Sequence, residues 1–360
     1  MPDTTHHTRS GEVWILGAAG RIGSAVTTRL VDCGLRPVLV GREGDRLRKT
    51  AEDLGLRVVI ADSIDTITAE ITQQRPTVVF NAIGNYADTA TTLARACMPG
   101  GHYLDLAADL TAVSRLLELH EEAVKRGSTL VTGSGFGVLA TEAVVVKLCE
   151  NRPTPAAVRV DALASVATEA GVMGAGFAAS VIDSMTTGGR RYQGGHMVTA
   201  RLGADPQHLA LPDGQEVKSA GAPSAELLAA HRASKAPSVT VTTALAPTSP
   251  IVRAILPLAA RLMSIPALAG FAVRQMASIK LKAAPRPRRH SWGHAVITWP
   301  DGTRREGWLR ADDGMDYTAA VATEVAVRLA KGEGKPGAYT PAAALGPDVA
   351  IAAGGTFLLD

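Results

Sequence analysis

Three observations predict an α/β protein in which a Rossmann doubly wound parallel sheet is followed by a second, α+β substrate domain. A short apolar strand runs straight into a glycine turn and a helix near the start. Strand-like and helix-like segments then alternate over the first 135 residues. Beyond residue 158 that rhythm is lost. Length agrees, because 360 residues exceed the size at which a single core stops growing. Hydrophobic residues make up 46% and charged ones 20%, ample for a sizeable core. The net charge of +3 is small for such a chain and argues against a nucleic-acid binder.

Taken in order, 13–16 reads as the first strand and 22–32 as an amphipathic helix after the turn. Residues 37–40 are the second strand, and 46–54 form a charged helix stopped by Gly55. Strands follow at 58–60, 77–81, 103–106 and 129–132, with helices at 87–98 and 113–126. Later come a strand at 158–166, a helix at 177–185, and strands at 197–201 and 238–244. A hairpin is expected at 294–309 around Pro300-Asp301-Gly302, and a long helix at 317–331.

The stretch 250–282 is apolar with scattered Arg253, Arg261, Arg274, Lys280 and Lys282. Pro250, Pro257 and Pro266 are expected to cut it into short pieces. A lid or oligomer surface, such as that of a homodimer, is preferred there to a membrane-surface helix, which needs a clean basic face and a long apolar one. Cys33, Cys97 and Cys149 have neither disulfide nor zinc spacing and read as buried thiols, and no spacing suggests a metal site. The polar start, 1–12, carries no apolar signal-peptide core, reads as a disordered lead-in, and points to a cytoplasmic protein.

The motif with the most chemistry is Gly17-Ala18-Ala19-Gly20-Arg21-Ile22-Gly23, placed between the first strand and helix. Gly17 permits the tight turn, Gly20 lets a pyrophosphate approach the backbone, and Gly23 allows close helix packing. A dinucleotide pyrophosphate would rest on unpaired N–H groups at the positive end of the helix, in a site that includes Ala19, Gly20, Arg21 and Ile22. The second strand ends Val40-Gly41-Arg42 where an NAD enzyme carries an acid, so Arg42 with Arg21 favours the 2′-phosphate of NADP(H). Glu43 next door is an acid that could face the ribose instead, and Arg42 could be a solvated turn residue. Asp62 and Ser63 are placed to meet adenine, and Asn81-Ala82-Ile83-Gly84 to meet the ribose at the carboxyl edge of the sheet.

These segments together resemble the saccharopine dehydrogenase-like oxidoreductases, in particular the trans-acting enoyl reductase branch. The stretches carrying the resemblance are 16–23, Val40-Gly41-Arg42 with Arg46-Leu47, 79–86 and His102-Tyr103-Leu104-Asp105-Leu106. Ser134-Gly135-Phe136-Gly137, Ser291-Trp292-Gly293 and 316–320 extend it. The resemblance implies a Rossmann domain at 13–137, an inserted substrate and dimerisation domain at 138–314, and a segment at 315–360 returning to the first. It also implies a nicotinamide-dependent reduction of C=N or C=C bonds, or the reverse, in a cleft faced by Asn85-Tyr86, 105–109 and 135–137. Departures gather on the substrate side. The family's Gly-Pro before an aromatic residue is Gly84-Asn85-Tyr86 here, its Gly-Glu is Ala108-Asp109, and its Gly-Phe-Asp-Ser is Gly135-Phe136-Gly137-Val138, followed by Ala140 and Glu142.

Hydride transfer needs one proton donor or acceptor beside the reacting atoms. Tyr86 is the first candidate and Asp109 the second, each weighed against a packing or capping role. Asp105 reads as a loop holder. His196 and His290 could enter the cleft, and Arg286, Arg288 and Arg289 could meet an acidic small-molecule substrate or a carrier protein, although a solvated basic linker is the more ordinary reading. No Gly-x-Ser-x-Gly elbow is present, which removes an esterase reading. The sequence therefore points to an NADPH-dependent reductase of an imine or conjugated alkene. The alternatives are an amine dehydrogenase running in reverse and a non-catalytic NADP-binding regulator.

Overall fold

The computed structural model describes residues 11–42 and 44–360. The lead-in at 1–12 therefore lies outside the described residues except for Gly11 and Glu12, and so does Glu43. In chain order come β1 (Val13–Leu16), α1 (Arg21–Asp32), β2 (Val38–Gly41), α2 (Asp45–Leu54), β3 (Val58–Ile60) and α3 (Ile64–Gln74). Next are β4 (Val78–Asn81), α4 (Tyr86–Cys97), β5 (His102–Asp105), α5 (Leu110–Leu117), α6 (His120–Arg126) and β6 (Thr129–Val131). All six strands are parallel, in the order β3-β2-β1-β4-β5-β6. Side chains alternate across a strand. Val13, Ile15, Leu39 and Phe80 enter one core, while Trp14, Leu16, Val40 and Val79 enter another on the opposite face. Both faces are thus covered, as a doubly wound parallel sheet requires.

Two expectations change here. The helix at 113–126 is two helices broken at Glu118 and Leu119, the first started by the Asp109 side chain. Cys33 is exposed rather than buried, because it caps the solvent end of α1, whereas Cys97 is buried.

α7 (Phe136–Cys149) leads to β7 (Ala157–Leu163), β8 (Gly171–Val172), α8 (Ala175–Thr187), β9 (Gly189–Gln193), β10 (His196–Ala200), β11 (Gln207–Ala210) and β12 (Glu216–Gly221). Then follow α9 (Glu226–Ser234), β13 (Ser238–Thr243), α10 (Pro250–Met263), α11 (Pro266–Ala277), β14 (Lys280–Leu281), β15 (Ser291–Thr298) and β16 (Arg304–Ala311). The proline expectation also fails in part. Pro250 and Pro266 start helices, where their missing N–H costs nothing, and Pro257 sits inside the 14-residue α10. The chain finishes with α12 (Gly314–Ala330), β17 (Gly337–Tyr339), α13 (Pro341–Leu345), α14 (Val349–Ala352) and β18 (Thr356–Leu359).

The second sheet is mixed, running β10-β9-β13-β7-β15-β16-β18, with the β11–β12 hairpin attached to β13. Inside it His294 is fully buried, its Nδ1 2.6 Å from Asp161 and its Nε2 3.0 Å from Glu306. Burial pushes the Asp161 carboxyl up, but His294 and Arg159 outweigh it and hold the carboxyl below its ordinary range. The closing segment serves both sheets. β17 adds a parallel strand beside β6, and β18 pairs antiparallel with β16.

Candidate active site

The glycine turn has the geometry its residues predict. Gly17 adopts φ +79°, and a side chain there would come within 3.0 Å of the Ala82 carbonyl. Gly17 donates to Val40 O (3.0 Å) and Gly20 to Gly17 O (2.9 Å), which folds the turn over the ends of β1 and β2. A Cβ on Gly23 would collide with the Gly17 carbonyl, so glycine there sets how closely α1 approaches. α1 starts after Gly20 with no side-chain cap, which leaves its first N–H groups, around Arg21 and Ile22, for a ligand.

The charges around the turn are less free than expected. Arg42 is exposed at the end of β2. Arg21 is engaged, with its Nε 3.1 Å from Glu169 of the second domain. Both partners are well exposed, so the pair contributes only about 0–1 kcal/mol and a phosphate can displace it. Ser63 caps α3, accepting from the Thr66 N–H in a reciprocal capping box, and Asp62 lies exposed beside it. Ser63 therefore already has a structural task.

Below the carboxyl edge lies a buried polar network. Asn81 donates to the Tyr103 hydroxyl (3.0 Å) and accepts from Ile83 N (3.1 Å), which fixes the Ala82-Ile83-Gly84 loop. Tyr103 donates to Asp105 Oδ2, and Asp105 Oδ1 accepts from Ala107 N, Thr132 Oγ1 and Gly133 N. One carboxylate thus ties together the loops after β5 and β6. Burial raises its pKa to about 6 against the pull of those donors.

Tyr86 opens α4 at this edge and packs against both cores of the first domain. Burial, then the nearby Asp105, push its hydroxyl pKa up, opposed by the Leu106 backbone. It is therefore a persistent O–H group rather than a base. Asn85 before it has φ +48°, a left-handed conformation open to asparagine but closed to proline, whose ring holds φ near −65°. The loop to Tyr86 consequently takes a path that the family's Gly-Pro could not. Asp109 caps α5, accepting from Ala112 N at 2.7 Å. It also lies near Asp183 of α8, whose pKa is raised by burial and then by Asp109.

The second domain covers this edge. Ala225 donates to Ala108 O (3.0 Å), and the buried Glu226 that follows sits directly against Gly137, where any side chain would collide with it. Glu226 Oε2 has no hydrogen-bond partner among the described residues, and burial pushes this carboxyl up. Glu226 escaped the sequence reading because nothing in Ser224-Ala225-Glu226-Leu227-Leu228 marks it. Glu142 lies elsewhere: it is buried in α7 and accepts from Thr340 and from Ala342 N and Ala343 N, capping α13. His196 is exposed on the edge hairpin β9–β10. His290 pairs with Asp312 at 3.2 Å and, with Arg286 and Arg289, lines a surface cavity of about 530 Å³. Half-buried Arg288 bonds to Ala164 O.

No family model matches the chain. Saccharopine dehydrogenase (L-Glu forming) from Saccharomyces cerevisiae superposes with a TM-score of 0.60 at 12% identity, covering 97% of this chain and 100% of its own. Trans-acting enoyl reductases of Mycobacterium tuberculosis and Mycobacterium bovis are 28% identical over 149 residues, which is 39% of this chain. Those residues span only 36% of the reductases' own length. The chain thus has the saccharopine dehydrogenase-like fold throughout and is similar in part of its sequence to the trans-acting enoyl reductases.

Proposed function

We propose that the protein is an NADPH-dependent oxidoreductase that reduces a C=N or conjugated C=C bond of a small molecule held between its two domains. The observation that carries this reading is the uncapped N-terminus of α1, presented by a glycine turn at the head of a parallel sheet. The turn fits a pyrophosphate, because Gly17 and Gly23 leave no room for side chains and Gly20 leaves the helix end open. Arg42 stands where an acid would select NAD(H), and it would hold the 2′-phosphate. The cofactor supplies the hydride. The chain's own residues bind and orient: the Asn81–Tyr103–Asp105 network holds the edge loops, and Tyr86 keeps a proton on its hydroxyl beside them. Asp109, with Asp183 near it, and Glu226 are further acids at this edge. The partial similarity to trans-acting enoyl reductases makes a conjugated C=C bond one candidate.

The test is a titration of the protein and of Arg42→Glu with NADPH and with NADH. Losing a charged phosphate contact costs about 1.5–3 kcal/mol, so NADPH should bind roughly tenfold to a hundredfold more weakly to the variant while NADH changes little. Absence of binding by either nucleotide would sink the proposal.

A further inference from the structure

The helix pair α10 and α11 presents an apolar surface that the proposed chemistry does not use. No residue of either helix is buried. Along α10, Ile251, Ile255, Leu258 and Leu262 are 74%, 58%, 63% and 46% exposed, and their i, i+4, i+7, i+11 spacing puts them in one outward stripe. Leu268 and Phe271 on α11 are exposed as well, and so are Val172 and Ile279. An exposed patch of this kind marks an interaction surface. Between 250 and 289 there are eight Arg and Lys residues and no Asp or Glu. Arg261, Arg274, Lys280, Lys282, Arg286 and Arg289 are exposed.

We infer that α10 and α11 dock this protein on an anionic lipid bilayer surface, lying in the interface with their stripe among the acyl chains and the flanking cations at the headgroups. Three features choose this occupant. The pair is apolar enough together for a hydrocarbon environment, yet neither helix alone is long enough to cross it and the two are bent by 116°, a shape suited to lying along a surface. The cations complement a negative surface and can extend past the apolar stripe toward headgroups. A second copy packed face to face would bring the same cations together with no acid in the segment to answer them, which opposes a symmetric dimer here. The inference departs from the lid or oligomer surface preferred on the sequence, and Pro257 does not cut α10, which runs on past it.

The experiment is co-sedimentation of the full chain with phosphatidylcholine vesicles, with or without phosphatidylglycerol, at low and high salt. The protein should pellet with the anionic vesicles and be released by salt. Leu258→Asp with Leu262→Asp should weaken this partitioning about a hundredfold or more, with melting unchanged because both side chains face solvent. Arg261→Glu with Arg274→Glu should remove the preference for anionic lipid. Failure to pellet with anionic vesicles would overturn the inference. So would a lipid-free dimer that the leucine substitutions dissociate, which would assign the stripe to a second copy. The test does not depend on NADPH binding, so its outcome is separable from that of the proposed function.

Discussion

Under the proposed function, Tyr86 would hold a structural and a chemical position at once. Its ring joins the two cores of the first domain, while its hydroxyl, with pKa raised by burial and Asp105, remains protonated at the sheet edge. A positioned proton donor contributes about a hundredfold or more to a rate. Tyr86→Phe should therefore lower kcat by about that factor and leave the NADPH dissociation constant unchanged, as single-turnover kinetics and titration would show. An unaltered kcat would remove Tyr86 from the chemistry. Asp109 was open to two readings in the sequence, and the structure supplies the capping bond while leaving the carboxylate near Asp183. Glu226 illustrates the opposite problem. Its position depends on a contact with Gly137, 89 residues away in the chain, and no local spacing encodes that.

At the scale of elements, the segments legible in the sequence were those whose apolar residues repeat on one face or are bounded by glycine. α1, with its glycine turn, and α2, closed by Gly55 at φ +61°, are of this kind. α7 was not legible. It is buried on most sides, with a Val144-Val145-Val146 run and no amphipathic stripe, because it packs between α9, α12 and β15. α3 was missed as well, its capping Ser63 having been assigned to the cofactor. The packing of α7 explains a motif that sequence could only match: a Cβ on Gly293 of β15 would come within 2.6 Å of the Ala140 side chain. Gly293→Ala should overpack this contact and cost about 1–3 kcal/mol, measured as a lower urea midpoint at constant m-value. A variant as stable as the parent would show that α7 can shift freely.

For the whole molecule, buried carboxyls set a pH dependence. Burial raises Glu142 from 4.5 to about 7 and Asp105 from 3.8 to about 6. A raised carboxyl favours its neutral form in the fold, so its stabilising contribution is complete below the unfolded value and is lost as pH rises through the folded one. Unfolding free energy should thus decline between pH 3.8 and about 7, and Glu142→Gln should flatten the upper part of that decline, leaving the portion due to Asp105 and the other raised carboxyls, Glu226 and Asp183. Denaturant melts across this range check it, and an undiminished slope in the variant would assign the effect elsewhere. The closing segment has a different consequence, one of timing. The first sheet gains β17 only from residues 337–339, and the second gains β18 only from 356–359. During synthesis both sheets therefore wait with an open edge until nearly the whole described chain has emerged. The N-terminal domain cannot finish folding ahead of the rest, and ribosome-bound chains should expose a pairing edge that the released protein conceals.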